Sequence, residues 1–200
     1  MTRKLNLFLK RGFDMIASGM GIILLSPFFV LVSVLIKVVM PGPVLFKQVR
    51  VGKHKRLFKI LKFRTMRVDK TAENSHDVSK DAERLTTLGK FLRRTKIDEL
   101  PQLVNVFIGD MSLVGPRPTF EEQVRQYSKR QMKRLDMRPG MTGLAQINGN
   151  TALSWDERIR FDIRYVERFS VGLDIRILLK TLVVVVVGAE SFIINKYGKD

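Results

Sequence analysis

The chain has 200 residues, with 36 lysines and arginines against 19 aspartates and glutamates, a formal charge of +17. A hydrophobic content of 45% excludes a disordered chain, and zero cysteines exclude a disulfide framework, a thiol nucleophile and a Cys-ligated metal. His54 and His76, the only histidines, give little to a His-based triad, while the cationic excess calls for polyanions: nucleic acid, phosphorylated small molecules or acidic lipid headgroups.

From Met15 to Ile36 no residue is charged, a stretch long enough to span about 30 Å of hydrocarbon as a helix. A secretory signal fits poorly, because the run is long, Asp14 leads into it and no small-residue cleavage site follows. Ser26-Pro27 lies near the middle, where proline removes a donor and clashes with the preceding turn. A kinked spanning helix and a helix–break–helix entering and leaving on one face both satisfy that chemistry. Arg3, Lys4, Lys10 and Arg11 before the run, and Lys37, Lys47 and Arg50 after it, favour re-entry by the positive-inside rule. Residues 1–40 are thus expected to form a re-entrant membrane helix and residues 41–200 a cytoplasmic catalytic domain.

Pro41-Gly42-Pro43 ends this element. Val44–Phe46 and Leu57–Leu61 read as short strands of a hairpin around the basic loop Gly52–Arg56. The cations that crowd residues 47–70 could hold anionic lipid or form a phosphate-binding wall, and the two roles are compatible. Val68–Glu83 is polar and aperiodic, as expected of a surface loop. Helical periodicity returns at Leu85, Leu88, Phe91 and Leu92, in a cationic amphipathic stretch Gln123–Asp136, and at Trp155–Phe169. Leu173–Val187 is apolar but carries Arg176 and Lys180 four residues apart, which suits a helix lying in the membrane interface.

The chemical signal is Lys96-Ile97-Asp98-Glu99-Leu100-Pro101-Gln102. Pro101 suits a first helical turn, so Asp98 and Glu99 fall at a helix start, amid Arg93, Arg94 and Lys96. Asp98 could simply cap that helix. Alternatively, one carboxylate attacks phosphorus while its neighbour helps to hold Mg²⁺. Arg117, set between Pro116 and Pro118, is presented from a stiff loop and suits bidentate phosphate binding. Neither a Walker loop nor a GxGxxG motif is present.

Together these residues resemble one family. The apolar run with Ser26-Pro27, then Phe46-Lys47-Gln48, Lys62-Phe63-Arg64-Thr65-Met66, Asp98-Glu99-Leu100-Pro101-Gln102, Gly109-Asp110-Met111-Ser112, Gly115-Pro116-Arg117-Pro118, Thr142-Gly143-Leu144-Ala145-Gln146 and Ser154-Trp155-Asp156-Glu157-Arg158 follow the order found in bacterial sugar transferases. These are the small monotopic phosphoglycosyl transferases, also called polyprenyl-phosphate sugar-1-phosphate transferases. The resemblance covers about residues 8–185, and the chain looks like the catalytic core without the extra N-terminal membrane domain of larger relatives.

The resemblance implies a mostly helical α+β monotopic membrane protein with a re-entrant helix, a short β-hairpin and interfacial amphipathic helices. It implies transfer of a sugar-1-phosphate from a UDP-sugar to undecaprenyl phosphate, with release of UMP, as the first membrane step of exopolysaccharide, O-antigen or glycoprotein glycan assembly. Asp98 matches the nucleophile that forms a covalent phospho-sugar, and Glu99 its acidic partner around Mg²⁺. Lys62, Arg64, Arg117, Asp162 and Asp174 match substrate-binding positions. The implied partners are the UDP-sugar, undecaprenyl phosphate, the membrane, the glycosyltransferases that take over the product and a second copy of the chain in a homodimer, with no nucleic acid. The implied location is the bacterial inner membrane, with the catalytic domain on its cytoplasmic face.

Two positions depart from the family pattern: Lys55 stands where a glycine is expected, and Asn150 where an arginine is expected. The departures put the hairpin loop geometry and the donor choice in question. Two other classes compete for the same composition, a membrane-tethered basic module for polyanions and a metal-dependent phosphohydrolase. The first gives the Asp98-Glu99 pair no use; the second would replace the lipid acceptor with water.

Overall fold

A computed structural model describes residues 3–68 and 81–187. Its first element, α1 (Arg3–Val39), is long and apolar enough to cross a membrane. A break is expected at Ser26-Pro27, yet the helical backbone continues through Pro27. Proline cannot donate to the Ile23 carbonyl four residues back, and Ser26 Oγ donates to that oxygen instead, at 2.8 Å. The acceptor is satisfied without unwinding. Ile16, Met20, Ile23, Leu24, Val30 and Leu31 are exposed, while Lys10, Asp14, Ser18, Val32 and Ile36 are buried against the rest of the chain.

β1 (Leu45–Val51) and β2 (Leu57–Phe63) form an antiparallel hairpin, in register from Leu45↔Phe63 to Val51↔Leu57. β1 is longer than the apolar triplet Val44–Phe46 suggests, because Lys47 and Val49 occupy its exposed face and Phe46, Gln48 and Arg50 the inner one. In the turn, His54 and Lys55 both take left-handed backbone, with φ of 53° and 64°. The position expected to hold glycine therefore keeps the conformation that glycine favours, with a lysine in it. Lys55→Gly is expected to stabilise the fold by up to about 1 kcal/mol by removing that strain. A melting temperature about 2–4 °C higher would show it, and an unchanged or lower one would show the strain to be absent. Asn150 (φ 44°) is the converse case, a residue type that tolerates left-handed backbone well.

The expected loop Val68–Glu83 lies mostly outside the described residues, and its end belongs to a helical turn, α2 (Asp81–Arg84). In α3 (Thr87–Arg94), Thr86 Oγ1 caps the helix by accepting from Gly89 N–H at 3.0 Å. Gly89 also lets the helix sit on the chain before it, since a Cβ there would fall 1.8 Å from the Thr65 carbonyl oxygen. α4 (Gln102–Ile108) packs against the first half of α1, where Gly19 faces Phe107 and Gly21 faces Leu103. The second half of α1 joins a core of Val32, Ile36, Met40, Phe63 and Leu92.

β3 (Ser112–Val114) pairs in parallel with β4 (Gly140–Thr142). Gln123–Asp136 is not the single amphipathic stretch that its periodicity suggests. α5 (Glu121–Arg125) stops early, and a 3₁₀ segment follows at Gln131–Asp136. Val124, Tyr127 and Leu135 are drawn into a core with Ile159 and Ile163, which outweighs continuity of the helix. α6 (Trp155–Glu167) starts with a capping box, Ser154 Oγ accepting from Glu157 N–H and Glu157 Oε2 from Ser154 N–H. α7 (Val171–Val187) buries Ile177 and exposes Ile175, Leu179, Leu182 and Val183.

Candidate active site

Lys96 takes a left-handed backbone (φ 60°) that turns the chain out of α3 into a short 3₁₀ segment, Ile97–Glu99. This turn aims both carboxylates at a cavity of about 640 Å³ lined by the hairpin, by Arg84 and Arg93 and by the start of α5 from Phe120 to Gln123. Asp98 caps no helix. The N-cap of α4 is Pro101, which makes no side-chain cap, so the capping alternative is set aside. Asp98 is 7% exposed, and its Oδ1 is buried without a hydrogen-bond partner. Such an oxygen is costly unless something else comes to it.

Lys62 reaches across from β2 and donates to Glu99 Oε1 at 2.8 Å. Burial works to raise the Glu99 pKa, but Lys62, Arg117 and Lys96 outweigh it and hold the carboxyl below its usual range. Asp98 behaves oppositely. Burial and the neighbouring Glu99 push its carboxyl above the usual range, against Lys62, Lys96 and Arg93. The adjacent acids are thereby driven apart, one firmly ionised and one closer to protonation, as acid pairs in catalytic sites often are.

Lys62 and the two carboxylates are thus brought together as the sequence suggests. Arg117 is exposed on a loop whose other residues are buried or half-buried; it is not among the residues that line the cavity, and it acts on Glu99 through its charge. Arg64 borders the cavity, but its guanidinium donates to the Met40 and Pro41 carbonyls beneath Gly42, so it fastens the end of α1 to β2. Asp162 and Asp174 do not line the cavity. Asp162 is buried in an ion pair with Arg134, which in turn donates to the Arg117 carbonyl at 2.9 Å. Asp162 therefore supports the loop from behind. Asp174 pairs with Lys10 at 2.6 Å and accepts from Tyr165 Oη at 2.7 Å, which ties α7 to α1. Sequence reasoning missed Gln48 and Phe120 as lining residues. The alternation of β1 carried the signal for Gln48, which shares a face with Phe46. Arg93, noted only as a neighbour of the acids, lines the cavity and donates to Thr65 Oγ1 at 3.0 Å.

Among the described residues no cluster of three or more His, Cys, Asp or Glu gathers to hold a metal alone. The carboxylate pair still fits Mg²⁺, which is commonly bound by one or two carboxylates and completed by substrate phosphates and water. Asp98 and Glu99 both line the cavity, and their carboxylates are hard oxygen donors of that kind.

The family model described as bacterial sugar transferase matches residues 5–188. The chain is 43% identical over 195 residues to the exopolysaccharide production protein PSS of Rhizobium leguminosarum bv. phaseoli, covering 90% of this chain and 96% of that one. It is 40% identical over 186 residues to the UDP-glucose:undecaprenyl-phosphate glucose-1-phosphate transferase of Klebsiella pneumoniae, covering 89% of this chain and 40% of that one. Against the UDP-N-acetylgalactosamine-undecaprenyl-phosphate N-acetylgalactosaminephosphotransferase of Aeromonas hydrophila, identity is 43% over 188 residues, with 90% and 44% covered. The chain belongs to the bacterial sugar transferase family.

Proposed function

From that membership, we propose that the chain is a polyprenyl-phosphate sugar-1-phosphate transferase that moves a sugar-1-phosphate from a UDP-sugar to undecaprenyl phosphate. The observation that carries this reading is a buried Asp98, one of whose carboxylate oxygens has no hydrogen-bond partner, beside the Lys62–Glu99 ion pair in a cavity large enough for a nucleotide sugar. Two relatives named for this transfer, from Klebsiella and Aeromonas, support the substrate class.

Asp98 attacks the sugar-side phosphorus of the donor. An Asp98–phosphorus bond forms as the bridging P–O bond breaks, and its electron pair leaves with UMP. A lipid phosphate oxygen then attacks the same phosphorus and releases the Asp98 carboxylate, giving undecaprenyl diphospho-sugar. Lys62 keeps Glu99 oriented and ionised, and Arg117 faces the donor phosphates. Mg²⁺, held by Asp98 and Glu99 with the donor phosphates, would supply charge neutralisation for the departing phosphate. The test is release of UMP from a panel of UDP-sugars by purified chain in lipid nanodiscs. Release is expected only with undecaprenyl phosphate present, and to stop with EDTA and resume with Mg²⁺. Phosphate-ester hydrolysis without lipid would favour a phosphohydrolase instead.

We place α1 as a re-entrant element, with both its ends and the catalytic domain on the cytoplasmic face of the inner membrane. Its two halves pack on the same body, Lys10 and Asp14 at one end, Ile36 and Met40 at the other. The exposed stripe of α7 suits a helix lying in the interface. Because the native chain has no cysteine, single-cysteine labelling reads the topology directly. Lys4→Cys and Lys129→Cys should both resist an impermeant thiol reagent in intact cells and react after lysis. Labelling of Lys4→Cys alone in intact cells would make α1 a spanning helix.

A further inference from the structure

On the inner face of β1, one step beyond Gln48, stands Arg50. Its Cζ lies 3.4 Å over the Phe120 ring centroid, and its Nη2 donates to Gln48 Oε1 at 2.6 Å. The side chain therefore leans back along the strand towards the cavity that Gln48 and Phe120 line. Same-face positions on a strand are about 7 Å apart, so the guanidinium lies at the level next to the Phe46–Lys62 register, where Lys62 meets Glu99.

Arg117 is the other cation in this region. Val51 N–H, next to Arg50, donates to the Thr119 carbonyl at 2.9 Å, which ties the strand carrying Arg50 to the chain two residues beyond Arg117, and the Arg117 charge acts on both Glu99 and Arg50. Among the described residues neither arginine forms an ion pair. Burial and the Arg117 charge together depress the Arg50 pKa to about 10, with Glu122 a lesser opposing influence. Two guanidiniums held close, one against an aromatic ring, destabilise each other unless an anion comes between them.

We propose that Arg50 and Arg117 form a two-guanidinium clamp for the departing phosphate of the donor, the phosphate that leaves with the nucleoside. The proposal rests on the transferase reading above. Attack by Asp98 places the sugar-side phosphorus at the carboxylates, and the second phosphate of the diphosphate then lies on the side of Arg117 and Arg50. When the bridging P–O bond breaks, the electron pair and the new negative charge arrive on that phosphate, where fixed cations stabilise the transition state most. Phe120 holds the Arg50 guanidinium so that its planar fork needs no reorganisation.

Binding of UMP and of uridine to the full chain in nanodiscs with Mg²⁺, measured by calorimetry, tests this apart from turnover. Wild-type chain should bind UMP, and Arg50→Gln should weaken UMP binding about 10–100-fold, the worth of one lost charge-assisted contact. Arg50→Lys should fall between, Phe120→Leu should weaken UMP binding less than Arg50→Gln, and uridine binding and kcat/KM for undecaprenyl phosphate should not change. If Arg50→Gln fails to fold, Arg50→Lys carries the test, with a loss of at least several-fold expected. Wild-type affinity for UMP in a folded Arg50 variant, or equal losses for uridine and UMP, would overturn the clamp. If the wild type binds UMP in the expected pattern yet transfers no sugar phosphate, the transferase reading fails and the anion site stands.

Discussion

Asp98→Asn should abolish sugar-phosphate transfer and any covalent phospho-sugar adduct, while raising the melting temperature of the protein. The two effects have one cause. An amide cannot attack phosphorus, so the first step is lost outright. The same amide carries no charge, and the charge is what the folded protein holds at a cost. Burial and Glu99 raise the Asp98 pKa above its unfolded value, so the folded state binds the proton more tightly. The resulting destabilisation is absent below the ordinary carboxylate pKa, grows as pH rises towards the folded value and is complete above it. Every kcal/mol relieved would appear as about 2–4 °C in a melt at neutral pH. Transfer rate in the wild type should show an acid limb above the usual carboxylate range, since only the carboxylate is nucleophilic. A stable variant that still forms the adduct would remove Asp98 from the role. A variant that melts lower would show that the carboxylate supports the fold.

The second large effect is expected at Asp162. Asp162→Leu strands the Arg134 guanidinium in the interior, where its partners are the Asp162 carboxylate, the Tyr127 hydroxyl and the Arg117 carbonyl. Breaking one side of a buried pair costs about 3–5 kcal/mol, whereas replacing both sides with well-packed apolar groups is often near neutral. Asp162→Leu should therefore unfold at much lower denaturant, and Arg134→Met with Asp162→Leu should recover most of the loss. Donor use should stay impaired in the double variant, because the Arg117 loop has lost its support. A stable, inactive Asp162→Leu protein would mean that Asp162 meets the substrate instead.

The long helix, the hairpin and the acidic pair were legible because each has a local signature, whereas Lys62 beside the acids came from the family resemblance alone. An uncharged run, a Gly/Pro boundary and adjacent carboxylates among cations can all be read over a few residues. What was not legible depends on distant partners. Arg64 and Arg117 look equally suited to phosphate, yet Arg64 lines the cavity while also holding the carbonyls at the end of α1. Asp162 and Asp174 share the chemistry of a ligand-binding acid, and only the fold shows them turned inward to Arg134 and Lys10. The stretch 123–136 was misread for the same reason, since core contacts with α6 decide where its helix stops. Proline correctly marked a local fault in α1, but the hydroxyl beside it repairs the fault.

The foot of α1 has a consequence for how the protein is made. Lys10 and Asp14 are polar groups on a long apolar helix whose hydrogen-bond partners lie far along the chain, Asp174 on α7 and the Ser112 hydroxyl and Leu113 N–H at β3. The nascent helix emerges first and must wait for residues translated more than 90 positions later before its charges are met. During that interval Lys10 and Asp14 stay at the water boundary and limit how deeply the N-terminal leg can sink. The same contacts run the other way. Without the leg, Asp174 and Ser112 would each lose a buried partner. A chain cut at Met40 would keep only Tyr165 on the Asp174 carboxylate and the Val114 carbonyl on the Ser112 hydroxyl, so removing the helix takes buried partners from the catalytic body as well as the apolar face.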